Sequence, residues 1–93
     1  MPRVVRETDL CTGHGCWPPR PPASWSEDVF AEGLGAVRVD DGWVVHCCTD
    51  CHSGTQVDGS PTVFVNGRAW ARIGDLISCG SRNRDGSPSV WAD

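Results

Sequence analysis

Three histidines and six cysteines hold most of the chemistry this chain can offer. They gather in "DLCTGHGC" (Asp9–Cys16), in "HCCTDCH" (His46–His52) and at Cys79. Imidazole and thiolate are the ligands that zinc and related transition metals favour. The same residues could instead frame disulfides or form a Cys/His nucleophile pair. The nucleophile reading is the weakest. His46-Cys47 has no marked third group to orient it, and so small a chain has little room for a cleft. Cys47, Cys48 and Cys51 form a CC-xx-C run, but the second CxxC of a zinc ribbon is missing.

Spacing narrows the choice, because the chain repeats itself. Setting Val29 on Val63 aligns Phe30 with Phe64, Gly33 with Gly67, Ala36 with Trp70, Arg38 with Arg72, Val39 with Ile73, and Asp41 with Asp75. The shared pattern is VFxxGxxxxR[VI]xD. A third copy lies in two pieces. "GSPSVWAD" (Gly86–Asp93) matches "GSPTVFVN" (Gly59–Asn66), while Arg6 and Asp9 match the Arg and Asp that close a unit. The third unit is therefore split between the two ends, and those ends are expected to meet in space.

Each closing Asp is followed at nearly the same offset by a metal-ligand type. Asp9 leads to His14, Asp41 to His46, and Asp75 to Cys79. Three pseudo-symmetric units would bring these side chains to one axis. His52, from the insert "CCTDCHSG", is the natural fourth, giving a His₃Cys shell suited to zinc. Cys16 and Cys48 stand at matching positions two residues after the histidines and are the rival ligands. The state of Cys11, Cys16, Cys47, Cys48 and Cys51 stays open between packing thiols and disulfides closed outside the cell. Arg6, Arg38 and Arg72 with Asp9, Asp41 and Asp75 read as structural. They could pair within or between units, and the carboxylates could orient a ligand imidazole.

These residues must be positioned by short strands. "PTVFVNG" alternates β-branched and aromatic residues and ends in Asn-Gly, a strand entering a tight turn, with "RAWARIG" returning beside it. "EDVFAEGLGAVRV" repeats this hairpin around Glu-Gly, and "GWVVH" reads as a further short strand. Residues near Ser24–Asp28 are compatible with one helical turn, but no longer helical period occurs. "WPPRPPAS" (Trp17–Ser24) lacks amide donors at its prolines and reads as a stiff extended loop on the flank of the fold. Val29, Phe30, Val63, Phe64, Val90 and Trp91 are candidates for core or base.

Composition sets the frame. The 93 residues, with eleven glycines and seven prolines, fit one turn-rich all-β domain. So small a chain buries little core and leans on staples, a metal or a partner. The net charge of −4, with no lysine, argues against a nucleic-acid partner. The N-terminus shows no apolar signal region, and no run is long enough to span a membrane. The chain is expected to be made in the cytoplasm, where clustered Cys and His favour metal over disulfides.

Tandem "GSPxVFVNGxxxAR[IV]GD…C" units, preceded by "TGHGC", resemble the PAAR-repeat family from about Arg3 to Asp93. The name tetrapeptide Pro-Ala-Ala-Arg is replaced by Ala69-Trp70-Ala71-Arg72 and by Gly35-Ala36-Val37-Arg38. Gly-Asp survives at Gly74-Asp75 and is Asp40-Asp41 in the first unit. The resemblance implies a single domain over residues 1–93, shaped as a small all-β cone with zinc near its apex. Carried over, the zinc ligands are His14, His46, His52 and Cys79. It further implies a non-enzymatic spike tip that caps a trimeric β-helical spike, VgrG-like or from a phage baseplate. Such a tip serves a type VI secretion system, a contractile phage tail or an extracellular injection particle. Effector or cargo proteins and a transiently contacted target membrane are the other implied partners. Two other readings stay beside it: a small zinc-binding regulatory or interaction module, and a disulfide-stabilised extracellular domain.

Overall fold

A computed structural model of the chain describes residues 1–93. It contains no helix and only short strands. Glu32-Gly33 and Asn66-Gly67 adopt left-handed φ values of 50° and 77°, and of 53° and 77°. That is the backbone of a type I′ turn, whose twist matches paired strands. Each turn closes a hairpin. β1 (Phe30–Ala31) pairs with β2 (Leu34–Gly35), and β5 (Phe64–Val65) with β6 (Arg68–Ala69), in the same register. Between them, β3 (His46–Cys47) pairs with β4 (Cys51–His52) in the insert.

The chain ends build the third equivalent hairpin. Arg3 bridges Trp91, and the Ala92 amide donates to the Pro2 carbonyl at 3.0 Å. The split unit is thus closed in space, and Asp93 stands where Glu32 and Asn66 stand.

At the pseudo-three-fold axis the backbone forms a ring. The Val5 amide donates to the Ala71 carbonyl (2.9 Å), Ala71 to Val37 (2.8 Å), and Val37 to Val5 (3.1 Å). Each is the residue before the closing Arg, and all three are fully buried. The three side chains enter one apolar cluster there, where small apolar residues fit. One apolar cluster lies on one side of the ring, built from Val4, Ala31, Ala36, Val65, Trp70 and Ala92, with Val29, Val63 and Val90 against it. The second joins Val5, Val37 and Ala71 to Cys11, Trp43 and Ile77, with Cys79 against it. Cys11, Trp43 and Ile77 each lie two residues after a closing Asp, so the layers follow the repeat. Stacking them in one direction accords with dimensions of 37 × 24 × 21 Å.

Two local expectations change. The segment near Ser24–Asp28 is not helical. The buried Ser26 hydroxyl instead accepts from the Asp28 and Val29 amides at 3.3 and 3.0 Å. Ser60 and Ser87 do the same at the matching positions. A side-chain acceptor thereby replaces the carbonyl a helical turn would use. "GWVVH" is not one strand either. Its neighbour is the proline segment: the Val44 amide donates to the Pro21 carbonyl and the Ala23 amide to the Gly42 carbonyl, but Pro18, Pro19, Pro21 and Pro22 have no amide to extend the ladder. Only isolated bridges form until the ladder begins at His46.

Candidate metal centre

The four expected ligands come together. One nitrogen from each of His14, His46 and His52 and the Cys79 sulfur all lie within 4.8 Å of one another. Each is delivered differently. His14 lies in a tight turn, His14–Trp17, closed by reciprocal amide bonds of 3.1 and 2.9 Å. Gly13, at φ +69°, makes room for it, since a Cβ there would lie 2.4 Å from the Trp17 carbonyl oxygen. His46 and His52 face each other across β3–β4. Cys79 follows Ile77 out of the second apolar cluster.

The imidazoles are arranged for a shared cation rather than for one another. His52 Nε2 lies 2.9 Å from His14 Nε2 and 2.7 Å from His46 Nε2. A ring nitrogen has one in-plane position, occupied by a proton or a lone pair, so at most one of these contacts is a hydrogen bond. A cation accepting every lone pair removes the conflict. Adjacent nitrogens around tetrahedral zinc stand roughly 3.3 Å apart, so modest ring movement fits the ion. Removal from solvent, then the neighbouring His46 and His52, push the His14 pKa below the ordinary histidine value, which favours the neutral ligand form.

Two contacts orient the rings. His46 Nδ1 lies 3.0 Å from the Pro18 carbonyl oxygen, so it donates its proton there and turns a free Nε2 inward. Trp17 stacks on His14 at 5.1 Å and tilts against His52 at 5.1 Å, while its Nε1 donates to the Asp50 carbonyl. Neither residue is marked in the sequence as a site residue. The faint signal is that the proline loop begins directly after the first Cys/His cluster.

The remaining cysteines divide. Cys16–Cys48 and Cys47–Cys51 are disulfides, whereas Cys11 and Cys79 are free. The rival ligands Cys16 and Cys48 are therefore paired with each other.

The repeated Arg/Asp pairs bond within their own units. In each, the Arg amide and Nε donate to one carboxylate oxygen and Nη2 donates to the other. Asp41 also accepts from Ser24 and from Arg68 of the next unit. Burial would raise the Asp41 carboxyl, but the Arg38 and Ser24 hydrogen bonds outweigh it and hold the pKa below the ordinary value. The hydrogen bonds of these carboxylates thus lock the turns that lead to the converging side chains, and the His46 ring is oriented by Pro18.

Two open depressions mark the surface, one lined by Trp25, Glu27, Asp28, Arg38 and Asn66, the other by Pro18, Arg20, Val45, His46 and Cys47. No helix is long and apolar enough to cross a membrane. The chain matches no curated protein. The family model described as PAAR motif matches residues 12–82, a stretch that holds all four converging side chains. The chain belongs to the PAAR-motif family.

Proposed function

We propose that residues 1–93 form a single PAAR-like domain that serves as the non-enzymatic structural tip of a contractile injection machine. His14, His46, His52 and Cys79 hold one zinc, and the domain caps a trimeric spike of the VgrG or phage-baseplate kind. The chain is made in the cytoplasm and assembled onto the spike, where it sharpens the tip for membrane puncture and can present effector proteins. A four-ligand shell leaves no open position for water, which suits structural rather than catalytic zinc. Such a site contributes roughly 10–16 kcal/mol in small zinc peptides, where little core is available.

One observation supports this reading best. Each unit exposes one aromatic residue at the same position, Phe30, Phe64 and Trp91, with 54%, 59% and 47% of its surface open. They belong to the hairpins whose neighbouring residues build the first apolar cluster, while Cys79 packs on the second. A single chain thus presents a three-fold apolar set, matched in symmetry to three identical subunits.

The test mixes the purified chain with the trimeric spike protein of the same organism's injection machine. One chain per trimer is expected. Combining Phe30→Asp, Phe64→Asp and Trp91→Asp should abolish binding and leave the zinc content unchanged. A zinc-loaded chain that binds no spike trimer would overturn the spike-tip reading in favour of a zinc-binding interaction module. Purified chain that holds no metal would overturn the zinc.

A further inference from the structure

All three imidazoles of the metal centre sit beside a disulfide. Cys16–Cys48 joins two segments, and its halves lie two residues after His14 and His46. Cys47–Cys51 ties the immediate neighbours of His46 and His52, at the rung next to the one on which those histidines face each other. All four of these cysteines are exposed, and none belongs to either apolar cluster. Cys79 is the one converging side chain on a segment without a cross-link.

We propose that these four cysteines form a redox lock on the metal: the thiol form loads and exchanges it, and the disulfide form retains it. The inference rests on the metal reading of His14, His46, His52 and Cys79. Oxidation occurs by exchange with a small-molecule disulfide such as oxidised glutathione. One cysteine thiolate attacks that disulfide, forms a mixed disulfide and releases one small thiol. The partner cysteine then attacks the protein sulfur and expels the second. Each pair thus consumes one small disulfide and yields two small thiols, which carry the two protons. Exposure of these four residues favours this exchange, and the reducing conditions of a cytoplasm keep the pairs open until the protein leaves it.

The lock acts in two ways. Reduced, the chain offers Cys16, Cys47, Cys48 and Cys51 as thiols competing with Cys79 beside the imidazoles. Oxidised, it offers Cys79 alone, so ligation settles on three nitrogens and one sulfur. The cross-links also prevent the imidazoles from separating. Cys16–Cys48 closes a 32-residue separation, which removes more chain freedom than a short loop would. Opening the shell to release the ion then requires displacing segments that are covalently joined.

The experiment follows zinc transfer from the loaded full chain to an excess of chromogenic chelator, after treatment with oxidised glutathione or with a phosphine reductant. Transfer should slow by about tenfold or more in the oxidised form, the scale on which outer-shell support alters metal sites. Denatured in chelator, the oxidised chain should show two free thiols, Cys11 and Cys79, and the reduced chain all six. Combined Cys16→Ser and Cys48→Ser changes, or Cys47→Ser and Cys51→Ser, should each return part of the fast transfer under oxidising conditions. With Co²⁺ in place of zinc, sulfur-to-metal absorption should indicate one thiolate in the oxidised form. Equal transfer rates in the two forms, or six free thiols after oxidation, would overturn the lock and leave the zinc reading standing. A chain that binds zinc in neither form would overturn the zinc reading and the lock with it.

Discussion

His46 and His52 face each other across a two-residue antiparallel ladder, with their Nε2 atoms 2.7 Å apart. Side chains alternate faces along a strand, so a one-residue slip would turn one imidazole away from the other. The Cys47–Cys51 disulfide fixes that register from the next rung. His52 is also the residue whose Nε2 meets both other histidines. Replacing His52→Ala should therefore reduce zinc affinity by more than the roughly 10–100-fold that loss of an outer-shell partner costs. Both apolar clusters lie elsewhere, so the circular-dichroism spectrum of the variant should stay that of a folded chain. A competition titration against a zinc indicator measures the first effect.

Asp41 ties two repeats together. Its buried carboxylate accepts from Arg38 within its unit and from Arg68 of the next. Asp85 pairs with Arg84 on the surface, with 40% of its side chain exposed. Breaking a buried pair costs about 3–5 kcal/mol, while an exposed pair contributes about 0–1 kcal/mol. Because Arg68 is partly open to water, Asp41→Ala should fall towards the lower end, near 3 kcal/mol. Asp85→Ala loses this exposed pair and one hydrogen bond accepted from the Leu10 amide, so it should cost less, about 1–2 kcal/mol. Urea unfolding of both variants under one buffer measures the difference.

Acid should unfold the chain partly through the same carboxylate. The Asp41 pKa is held below its ordinary value of 3.8 by Arg38 and Ser24 against the opposing effect of burial. A carboxyl depressed in the folded state contributes stability that is present above its unfolded pKa. That contribution disappears as pH falls through the lower, folded value. Glu32, held down chiefly by Ser87 and Ser89, acts in the same sense. Stability should therefore decline below about pH 4, and Asp41→Asn should flatten that decline. Chemical unfolding of chelator-treated protein between about pH 2 and 6 isolates the effect from protonation of the histidines and Cys79.

The repeat makes much of this architecture legible in the sequence. Val29 on Val63 fixed the offsets of His14, His46 and Cys79 from their Asp residues, and those side chains converge. Asn66-Gly67 announced its turn because few other dipeptides accept two left-handed residues. The orienting contacts were hidden for a physical reason. Trp17 and Pro18 act through ring stacking and a backbone carbonyl, and neither depends on a residue type that marks function. Disulfide pairing was hidden because it follows from how the first turn and the insert approach in space. "GWVVH" misled because its apolar pattern fits a strand, while the adjacent prolines deny it a ladder.

The first unit has one departure from its repeat that should be correctable. Asp40 has φ 77° where the second unit places Gly74 at φ 89°. A side chain in this left-handed region is strained, and glycine is not. The Asp40 side chain is exposed, and its amide bond to the Gln56 carbonyl does not involve it. Asp40→Gly should therefore stabilise the chain by about 0.5–1 kcal/mol, relief of strain being partly offset by a freer unfolded chain. A rise in the midpoint of urea unfolding at unchanged slope would show it.

The split third repeat makes the order of the chain changeable. Ala92 donates to Pro2, and Arg3 bridges Trp91, so a short glycine linker from Asp93 to Met1 bridges what is already a hairpin. A new opening at the exposed Asn66–Gly67 turn leaves the Val5–Ala71–Val37 ring and all four converging side chains in place. Loop closure depends only weakly on length, each doubling costing about 0.6 kcal/mol. The permuted chain should therefore fold within about 2 kcal/mol of the parent and bind zinc with the same stoichiometry. Opening instead between Arg38 and Asp41 should prevent folding, because it breaks the turn that carries the buried Asp41 ion pairs. Urea unfolding and metal content of the two permutants, measured side by side, decide between a fold built from three closed units and one that depends on its native order.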